Sequence, residues 1–328
     1  MCAVPATAVW KFKTNQSPGN WRFNRRHSIG LLTSALTLML IFSFSLVAWG
    51  QEMEPRAYSR APIGTQYVVL SYVHQTGDVL LDSSLPLRDV KVKLNSGMLG
   101  YGRTFNLAGR QASVGVLAPY ILGRAKGTVF EGQTEVRRSG MGDIRVRFAT
   151  NFVGGKALSP QQFAEYKAKT VLGASLIVVI PTGQYDPRRL VNLGSNRWAF
   201  KPEVGVSRAA GRWTVEVAGG VWLFTKNKNF FGGVQREQKP LTAFQGHLIY
   251  TVRPRMWVAL NGTYYTGGRT NINGVVNDDA QRNSRLGATF SMPLDKRQSI
   301  KVAWARGMTA RFGGDLKTIA FGWQYVWY

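Results

Sequence analysis

The strongest constraint in this sequence is a two-residue alternation of apolar and polar side chains that recurs after residue 50. Between residues 143 and 152, apolar side chains fall on one face of an extended strand and charged side chains fall on the other. The same alternation recurs in 200–207, 285–291 and 299–305. Each segment therefore suits an apolar environment on one side and a polar environment on the other, as the wall of a membrane barrel requires.

Twelve such segments can be counted, and an even number is typical of single-chain bacterial barrels. They lie at about 63–74, 92–106, 111–125, 140–153, 169–183, 197–208, 212–225, 241–252, 255–266, 283–292, 298–307 and 316–327. We predict an all-β, transmembrane, up-and-down antiparallel β-barrel of about twelve strands over residues 51–328. The alternative fold is a soluble β-sandwich.

The connections between these segments alternate in length, which favours the barrel, with short periplasmic turns and longer outer loops. The short ones are 107–110, 209–211, 253–254 and 293–297, and the long ones are 75–91, 126–139, 184–196, 226–240 and 267–282. Connection 154–168 breaks the rule, and its Ser159 and Pro160 predict the start of a short helix. Connection 308–315 is intermediate in length.

The first 50 residues have the parts of a secretory signal peptide. Arg25 and Arg26 precede an apolar run, and the small residues Ala48 and Gly50 precede Gln51. The alternative is an uncleaved anchor, because the run of about 20 residues could span a bilayer. After residue 50 the sequence has no apolar run of that length, so a membrane form must be a closed barrel. We expect export to the outer membrane of a Gram-negative cell.

The charge of the chain is strongly positive but scattered. The net charge is +25, and 37 basic against 17 acidic residues after position 50 leave +20. The basic residues recur singly along strands and loops, which favours a positive lumen or contact with anionic lipid over nucleic acid. The one cysteine, Cys2, lies in the leader, and no His/Asp/Glu cluster has metal-ligand spacing. We expect no metal and no cofactor.

The last predicted strand alternates aromatic and aliphatic side chains with other residues. Its members on one face are Ile319, Phe321, Trp323, Tyr325 and Trp327. Such a C-terminal strand resembles the recognition signal that outer-membrane barrels present to the barrel-assembly machinery. The expected partners are that machinery during biogenesis, the outer-membrane lipids including lipopolysaccharide, and a small-molecule solute.

Several stretches resemble the outer-membrane barrel family labelled as a meta-pathway of phenol degradation, or simply as a transporter. The most specific is 181–205, which begins Pro-Thr-Gly-Gln-Tyr-Asp-Pro-Arg-Arg, and others are 54–58, 142–143 and 220–224. The resemblance covers nearly the whole chain after the leader. It implies an outer-membrane barrel that passes aromatic or other hydrophobic compounds, although the phenol label itself implies little about the substrate.

Two groups of residues are candidates for the lumen. The charged candidates on predicted strands four and six are Asp143, Arg145, Arg147, Lys201 and Glu203. They should share one lumen region, where they either set ion selectivity or close a narrow barrel with salt bridges. The aromatic candidates Trp222 and Phe224 would stack on an aromatic solute if they face inward, or belong to the interfacial belt if they do not.

A third group lies in the loop before predicted strand six and could fold inward to constrict the channel. Its members are Asp186, Arg188, Arg189, Asn192, Asn196 and Arg197. Arginine there would favour carboxylate or phosphate groups. The alternative is a packed outer loop that satisfies its own backbone through Asn and Gly turns.

These features favour a channel for passive uptake of small, hydrophobic or aromatic solutes, without catalysis. One alternative is a non-conducting structural or adhesive barrel that acts through its loops. Another is a lipid-hydrolysing barrel, which would use His74 or His247 as its base. Neither histidine lies in a nucleophile motif such as Gly-x-Ser-x-Gly, which disfavours the enzyme.

We predict that the exported protein begins at Gln51, because the translocase presents the small residues Ala48 and Gly50 to signal peptidase. N-terminal sequencing and intact-mass measurement of the membrane-extracted protein test this. A mature chain that still carries residues 1–50 would instead support the uncleaved anchor.

Overall fold

The computed structural model describes residues 54–80, 87–129, 132–166 and 170–328. The signal peptide predicted over residues 1–50 lies outside the described residues. Within the described ranges, the chain has no helix that is long and apolar enough to cross a membrane.

The chain forms seventeen strands in its described part. In order they are β1 Gln66–Leu80, β2 Leu87–Leu107, β3 Arg110–Val129, β4 Gly132–Met141, β5 Ile144–Val153, β6 Thr170–Ile180, β7 Ala199–Ala210, β8 Trp213–Phe224, β9 Asn227–Phe230, β10 Val234–Gln238, β11 Leu241–Arg253, β12 Met256–Gly267, β13 Thr270–Ile272, β14 Val275–Val276, β15 Gln281–Pro293, β16 Gln298–Thr309 and β17 Gly313–Trp327. Helix α1 spans Pro160–Glu165, and a 3-10 turn spans Phe231–Gly233.

The main sheet closes on itself. Each long strand pairs antiparallel with its neighbours in the sequence, and β1 pairs with β17 along its full length, from Gln66 opposite Trp327 to Leu80 opposite Gly313. Strands β4 and β5 both pair with β3, so they are two parts of one wall strand that is interrupted at Gly142 and Asp143. The predicted twelve-stranded antiparallel barrel is therefore confirmed.

Alternating side chains divide the wall into two faces. Outward positions carry large apolar side chains that remain exposed, such as Leu70, Leu99, Val217, Leu260 and Phe321. Inward positions carry a mixture of polar, small and buried apolar side chains. An exposed apolar band of this extent is the surface that a bilayer covers. Closure leaves the barrel without an open edge, so the wall satisfies its backbone hydrogen bonds in lipid.

Tight turns gather at one end of the barrel. Ala108 and Gly109, between β2 and β3, both have positive φ (47° and 78°), as a two-residue type I′ hairpin requires.

Helix α1 lies in the connection between β5 and β6, where the Ser159 side chain accepts from the backbone of Gln162 and the Gln162 side chain accepts from the backbone of Ser159. The short helix predicted from Ser159 and Pro160 is confirmed.

The outer strands run further than the sequence pattern predicts. Much of the predicted loop 75–91 is strand, since β1 continues to Leu80 and β2 begins at Leu87, and the predicted loop 126–139 is largely the β3–β4 hairpin. The reason is that these strands carry exposed charged side chains at outward positions, so the apolar alternation disappears although pairing continues. The predicted loops 226–240 and 267–282 contribute a second, four-stranded sheet of β9, β10, β13 and β14.

Replacing Leu260, an outward residue near the middle of β12 that is 65% exposed, tests the lipid-facing assignment. We expect Leu260→Arg to destabilise the barrel in liposomes by about 2–4 kcal/mol, as a charge near the bilayer midplane does. Urea unfolding followed by tryptophan fluorescence measures this change. Leu260→Phe is the matched control and should remain near wild type, whereas equal losses in both variants would contradict the assignment.

Candidate functional site

The interior of the barrel holds the segment that precedes β1, residues 54–65, which we call the lumen segment. Its Tyr58 is 3% exposed and donates a hydrogen bond from its hydroxyl to Glu203 Oε1 at 2.8 Å. The Tyr58 ring lies against Gly173 of β6 and Gly205 of β7, where a β-carbon on either glycine would overlap the ring. These two glycines therefore make room in the wall for the lumen segment.

Polar contacts attach the lumen segment to several sides of the barrel. The Arg56 backbone donates to Glu216 Oε2 of β8 at 2.6 Å, and its guanidinium donates to Thr251 of β11 at 3.0 Å. On the other side, the Ala61 backbone donates to Gln111 Oε1 at 3.1 Å, and Thr104 donates to the Pro62 carbonyl at 2.6 Å. The segment thus crosses the lumen near the end with tight turns.

A buried ion pair lies where the lumen segment meets the wall. Lys201 Nζ is 2.8 Å from Glu203 Oε2, and the two side chains are 1% and 3% exposed. Gln245 donates to the same Glu203 oxygen at 2.7 Å, and Tyr58 donates to the other. Burying two charges costs several kcal/mol unless further hydrogen bonds saturate them, and here the carboxylate accepts from three side chains.

Aromatic rings continue from this ion pair toward the outer end of the barrel. Lys201 Nζ lies 5.7 Å from the centre of the Trp222 ring, and Trp222 stacks on Phe224 with centroids 6.4 Å apart and planes inclined by 13°. The Arg197 guanidinium lies 4.3 Å from the centre of the Phe224 ring. We call the series Arg197, Phe224, Trp222, Lys201, Glu203 and Tyr58 the cation–aromatic ladder. Trp222 is 5% exposed and faces the lumen, so it does not belong to the interfacial belt.

The charged candidates divide between the lumen and the outer loop. Arg147 lies 5.6 Å from the centre of the Tyr58 ring and donates to the Ala57 carbonyl at 3.4 Å, so it joins the network through the lumen segment. Arg145 is half-buried on the same inward face of β5. Asp143 does not join the ion pair.

Asp143 instead holds the loop between β6 and β7. Its carboxylate accepts from the backbone of Gly183 at 2.9 Å and of Ser195 at 2.8 Å, and from the Ser195 hydroxyl at 2.6 Å. The interruption between β4 and β5 makes this geometry possible, because a residue between two strands can turn its side chain to the loop.

Most of the predicted constriction residues stabilise that loop internally. Arg188 binds Asp186 at 3.0 Å and holds the pKa of that carboxyl at about 2, and Arg189 lies 3.2 Å from it. The Asn192 amide donates to the carbonyls of Asp186 and Arg189. Asn196 has a φ of 50° and donates to Asn227. These five residues fit the packed-loop alternative.

Arg197 is the exception in this group, since it is 7% exposed and turns toward the lumen. Its Nη2 donates to Gln238 Oε1 at 2.5 Å, while its Nη1 is buried without a hydrogen-bond partner among the described residues. Burial lowers the pKa of Arg197, and the nearby Arg236 guanidinium lowers it further. Arg236 Nε is also buried without a hydrogen-bond partner in the described part of the chain.

The two histidines that follow the predicted leader lie on different strands of the wall. His247 faces the lumen on β11, is 5% exposed, and shares a hydrogen bond with Asn261 at 2.8 Å. His74 lies on β1 and shares a 2.8 Å hydrogen bond with Asn95. Among the described residues, no group of three His, Cys, Asp or Glu side chains could hold a metal ion.

A small cavity lies next to the lumen-facing residues of the wall. It has a volume of 30 Å³ and lies on the inner side of β12, β15 and β17, and its lining includes Tyr265, Asn283, Arg285 and Leu316. That volume holds about two water molecules. An aromatic solute does not fit this cavity.

Sequence reasoning did not identify the lumen segment as part of the site. Residues 54–58 stood out only through the family resemblance, because the segment has no periodicity. The signal that could have identified it is the pair of glycines on the inward faces of β6 and β7, Gly173 and Gly205, at positions where larger side chains usually fill a barrel.

Comparison with known proteins gives one family match and several structural similarities. The model of the family described as "Putative MetA-pathway of phenol degradation" matches residues 65–315. An outer membrane channel from Pseudomonas putida F1 is 23% identical over 84% of this chain and 100% of that chain, with a TM-score of 0.72, which supports the barrel fold. No curated protein sequence matches the chain.

Two further structures are less similar. The transport unit of the autotransporter AIDA-I from Escherichia coli has a TM-score of 0.49 at 9% identity and covers 89% of this chain and 97% of its own. The CymD monoaromatic hydrocarbon channel has a TM-score of 0.44 at 7% identity and covers 82% of this chain and 90% of its own.

Removing one member of the buried ion pair tests whether the cation–aromatic ladder stabilises the barrel. We expect Glu203→Ala to destabilise the barrel by about 3–5 kcal/mol, because it leaves the Lys201 charge buried without its carboxylate. It should also release Tyr58, which limited proteolysis at Arg56 or Arg60 would detect. The double variant Lys201→Met, Glu203→Gln should recover most of the stability, and a Glu203→Ala barrel as stable as wild type would contradict the role of the pair.

Proposed function

Because the chain belongs to the phenol-degradation family whose model matches residues 65–315 and folds as a transmembrane barrel, we propose that it is a non-catalytic outer-membrane channel for passive uptake of small hydrophobic or aromatic solutes. Its signal peptide directs export. The solute moves down its concentration gradient, so the channel needs no cofactor and forms no covalent intermediate.

The observation that carries this proposal is the way in which the lumen segment is attached. Arg56, Tyr58 and Ala61 contact the wall through hydrogen bonds that involve side chains and through ring packing. These contacts are not part of the backbone pairing of the barrel sheet. A segment held in this way can leave the lumen without breaking the pairing of β1 with its neighbours. Residues 54–62 therefore act as a gate, whereas Gly64 stays with the wall through its backbone hydrogen bond to Thr104 of β2 at 3.0 Å.

The residues above the gate favour an aromatic acid as the solute. Trp222 and Phe224 present ring faces that can stack on an aromatic group. Arg197 has a buried Nη1 without a hydrogen-bond partner in the described part of the chain, and it lies against Phe224. A carboxylate that accepted from this nitrogen would satisfy a donor that is otherwise costly to bury.

The partners follow from the proposed location. The barrel-assembly machinery would insert the chain by recognising the C-terminal strand, where Trp323 stacks on Tyr325 at a centroid distance of 6.3 Å and Tyr325 lies 5.7 Å from Trp327. Lipopolysaccharide and phospholipid would cover the apolar band.

A second candidate is a non-conducting barrel that acts through its outer surface. The lumen segment that crosses the barrel and the four-stranded sheet of β9, β10, β13 and β14 favour it. A lipid-hydrolysing barrel is a weaker alternative, because the side-chain partners of His74 and His247 are Asn95 and Asn261, neither of which is a nucleophile. Lipid turnover by His74→Ala and His247→Ala compared with wild type tests this alternative.

Single-channel conductance in a planar bilayer tests the channel and its gate. We expect Tyr58→Ala to raise the open probability severalfold over wild type, because it removes the bond to Glu203 and the packing against Gly173 and Gly205. The matched control is Tyr264→Ala, since Tyr264 points outward and is 42% exposed. If wild type, Tyr58→Ala and a deletion of residues 54–62 all fold but pass no current, the non-conducting barrel is the better interpretation.

The same recordings test the solute class. We expect an open Tyr58→Ala channel to prefer anions, and Arg197→Ala in that background to lower the preference, because a buried guanidinium near the path attracts anions. Benzoate should block the small-ion current at lower concentration than an aliphatic acid of similar size. Equal block by the two acids would contradict stacking on Trp222 and Phe224.

A further inference from the structure

The outward faces of β2, β3, β4 and β17 carry a group of exposed basic side chains near the loop end of the barrel. They are Lys91, Lys93, Arg124, Lys126, Arg137 and Lys317, which we call the basic patch. Their neighbours Val92 and Leu94 are buried on the inward face, so Lys91 and Lys93 point away from the lumen. These cations cannot line the solute path, and the proposed channel does not use them.

The acidic residues within the patch leave its charge positive. Glu135 is shared by three cations: Arg124 at 3.3 Å, Lys126 at 3.0 Å and Arg137 at 2.6 Å. Asp78 lies opposite Lys91 in the register of β1 and β2 and opposite Asp315 in that of β1 and β17, so the cations still outnumber the carboxylates. Exposed pairs of this kind contribute little stability, so a role in folding does not explain why so many cations gather here.

An apolar groove lies on the same outer face, closer to the middle of the wall. It has a volume of about 810 Å³, and its large lining side chains include Leu70, Leu99, Tyr120 and Phe321. Its depth comes from small residues between them, such as Gly97, where an added β-carbon would have no neighbour within 4 Å. A groove on a lipid-facing surface is filled by hydrocarbon chains rather than by water.

The groove and the patch are aligned along the strands. Lys93 lies four residues from Gly97 on β2, and Arg124 lies four residues from Tyr120 on β3, which places both cations about 13 Å toward the loop end. Between them, Asn95 accepts from the Tyr72 hydroxyl at 2.7 Å and shares a 2.8 Å hydrogen bond with His74. The surface therefore passes from apolar to polar to cationic over the length of one lipid.

We propose that this face is a binding site for lipopolysaccharide, with acyl chains of its lipid A in the groove and its phosphates on the basic patch. The loop end of the barrel carries the patch, and charge complementarity selects an anionic headgroup. The proposal rests on the outer-membrane location and is independent of whether the lumen conducts.

Native mass spectrometry of the refolded barrel in detergent, with bis-phosphorylated lipid A as the probe, tests the site. We expect the triple variant Lys91→Gln, Lys93→Gln, Arg124→Gln to lower the affinity tenfold or more. The matched control is Arg208→Gln, Arg212→Gln, Lys296→Gln, which removes three exposed cations at the tight-turn end and should bind within twofold of wild type. Heat-modifiable migration in gels confirms that each variant is folded.

Two further arms separate the parts of the site. Gly97→Phe fills the groove where space is open, and it should weaken binding of hexa-acylated lipid A more than of a deacylated, phosphorylated form. Removing both phosphates should abolish the difference between wild type and the Lys91, Lys93, Arg124 variant. The proposal is overturned if both triple variants lose equal affinity, or if phosphatidylglycerol competes as well as lipid A, which would indicate an unspecific anionic surface.

Lipid A binding and channel conductance can be lost independently, so the two proposals can fail separately. Loss of lipid A binding with unchanged conductance would leave the channel proposal standing, because the patch faces away from the lumen. A barrel that binds lipid A through the patch but stays silent with its gate removed would contradict only the channel.

Discussion

The pairing of β1 with β17 is the interaction on which the rest of the structure depends. It runs from Gln66 opposite Trp327 to Leu80 opposite Gly313 and removes the two open edges that a twelve-stranded sheet would otherwise expose. In hydrocarbon an unpaired backbone group costs several kcal/mol, so an open sheet is excluded. Closure then creates two surfaces with different solvents, and every other feature of the protein belongs to one of them.

Many inward side chains are buried, which explains how the charges on the inner surface are arranged. Lys201 and Glu203 are compensated by each other, by Tyr58 and by Gln245, and the Arg197 guanidinium lies against an aromatic ring. Because the lumen segment supplies Tyr58, the wall and the lumen segment share one network. In the proposed channel, movement of this segment would change the environment of the ion pair and link opening to electrostatics inside the barrel.

The sequence predicts the wall far better than the interior. Alternation identifies all twelve wall strands because each outward residue responds to the same apolar environment, and it failed only where strands leave the bilayer, as at Lys91 and Lys93. The alternation also predicts that Lys201 and Glu203 share one face of the wall, because they lie two residues apart on one strand. The contact between Tyr58 and Glu203 joins residues 145 positions apart and has no local signature. Likewise, Arg197 points toward the lumen while its loop neighbours do not, and this difference depends on the direction of a single turn.

By itself, the sequence determined a closed antiparallel barrel, its strand count, its tight turns and its scattered positive charge, because these follow from local periodicity and composition. Only the tertiary structure decided that residues 54–65 cross the lumen, that Asp143 holds a loop while Arg147 contacts the lumen segment, and that Trp222 faces inward. It also aligned the basic patch with an apolar groove. Each of these depends on the register and curvature of strands distant in sequence, which set the distances between side chains and leave no periodic trace along the chain.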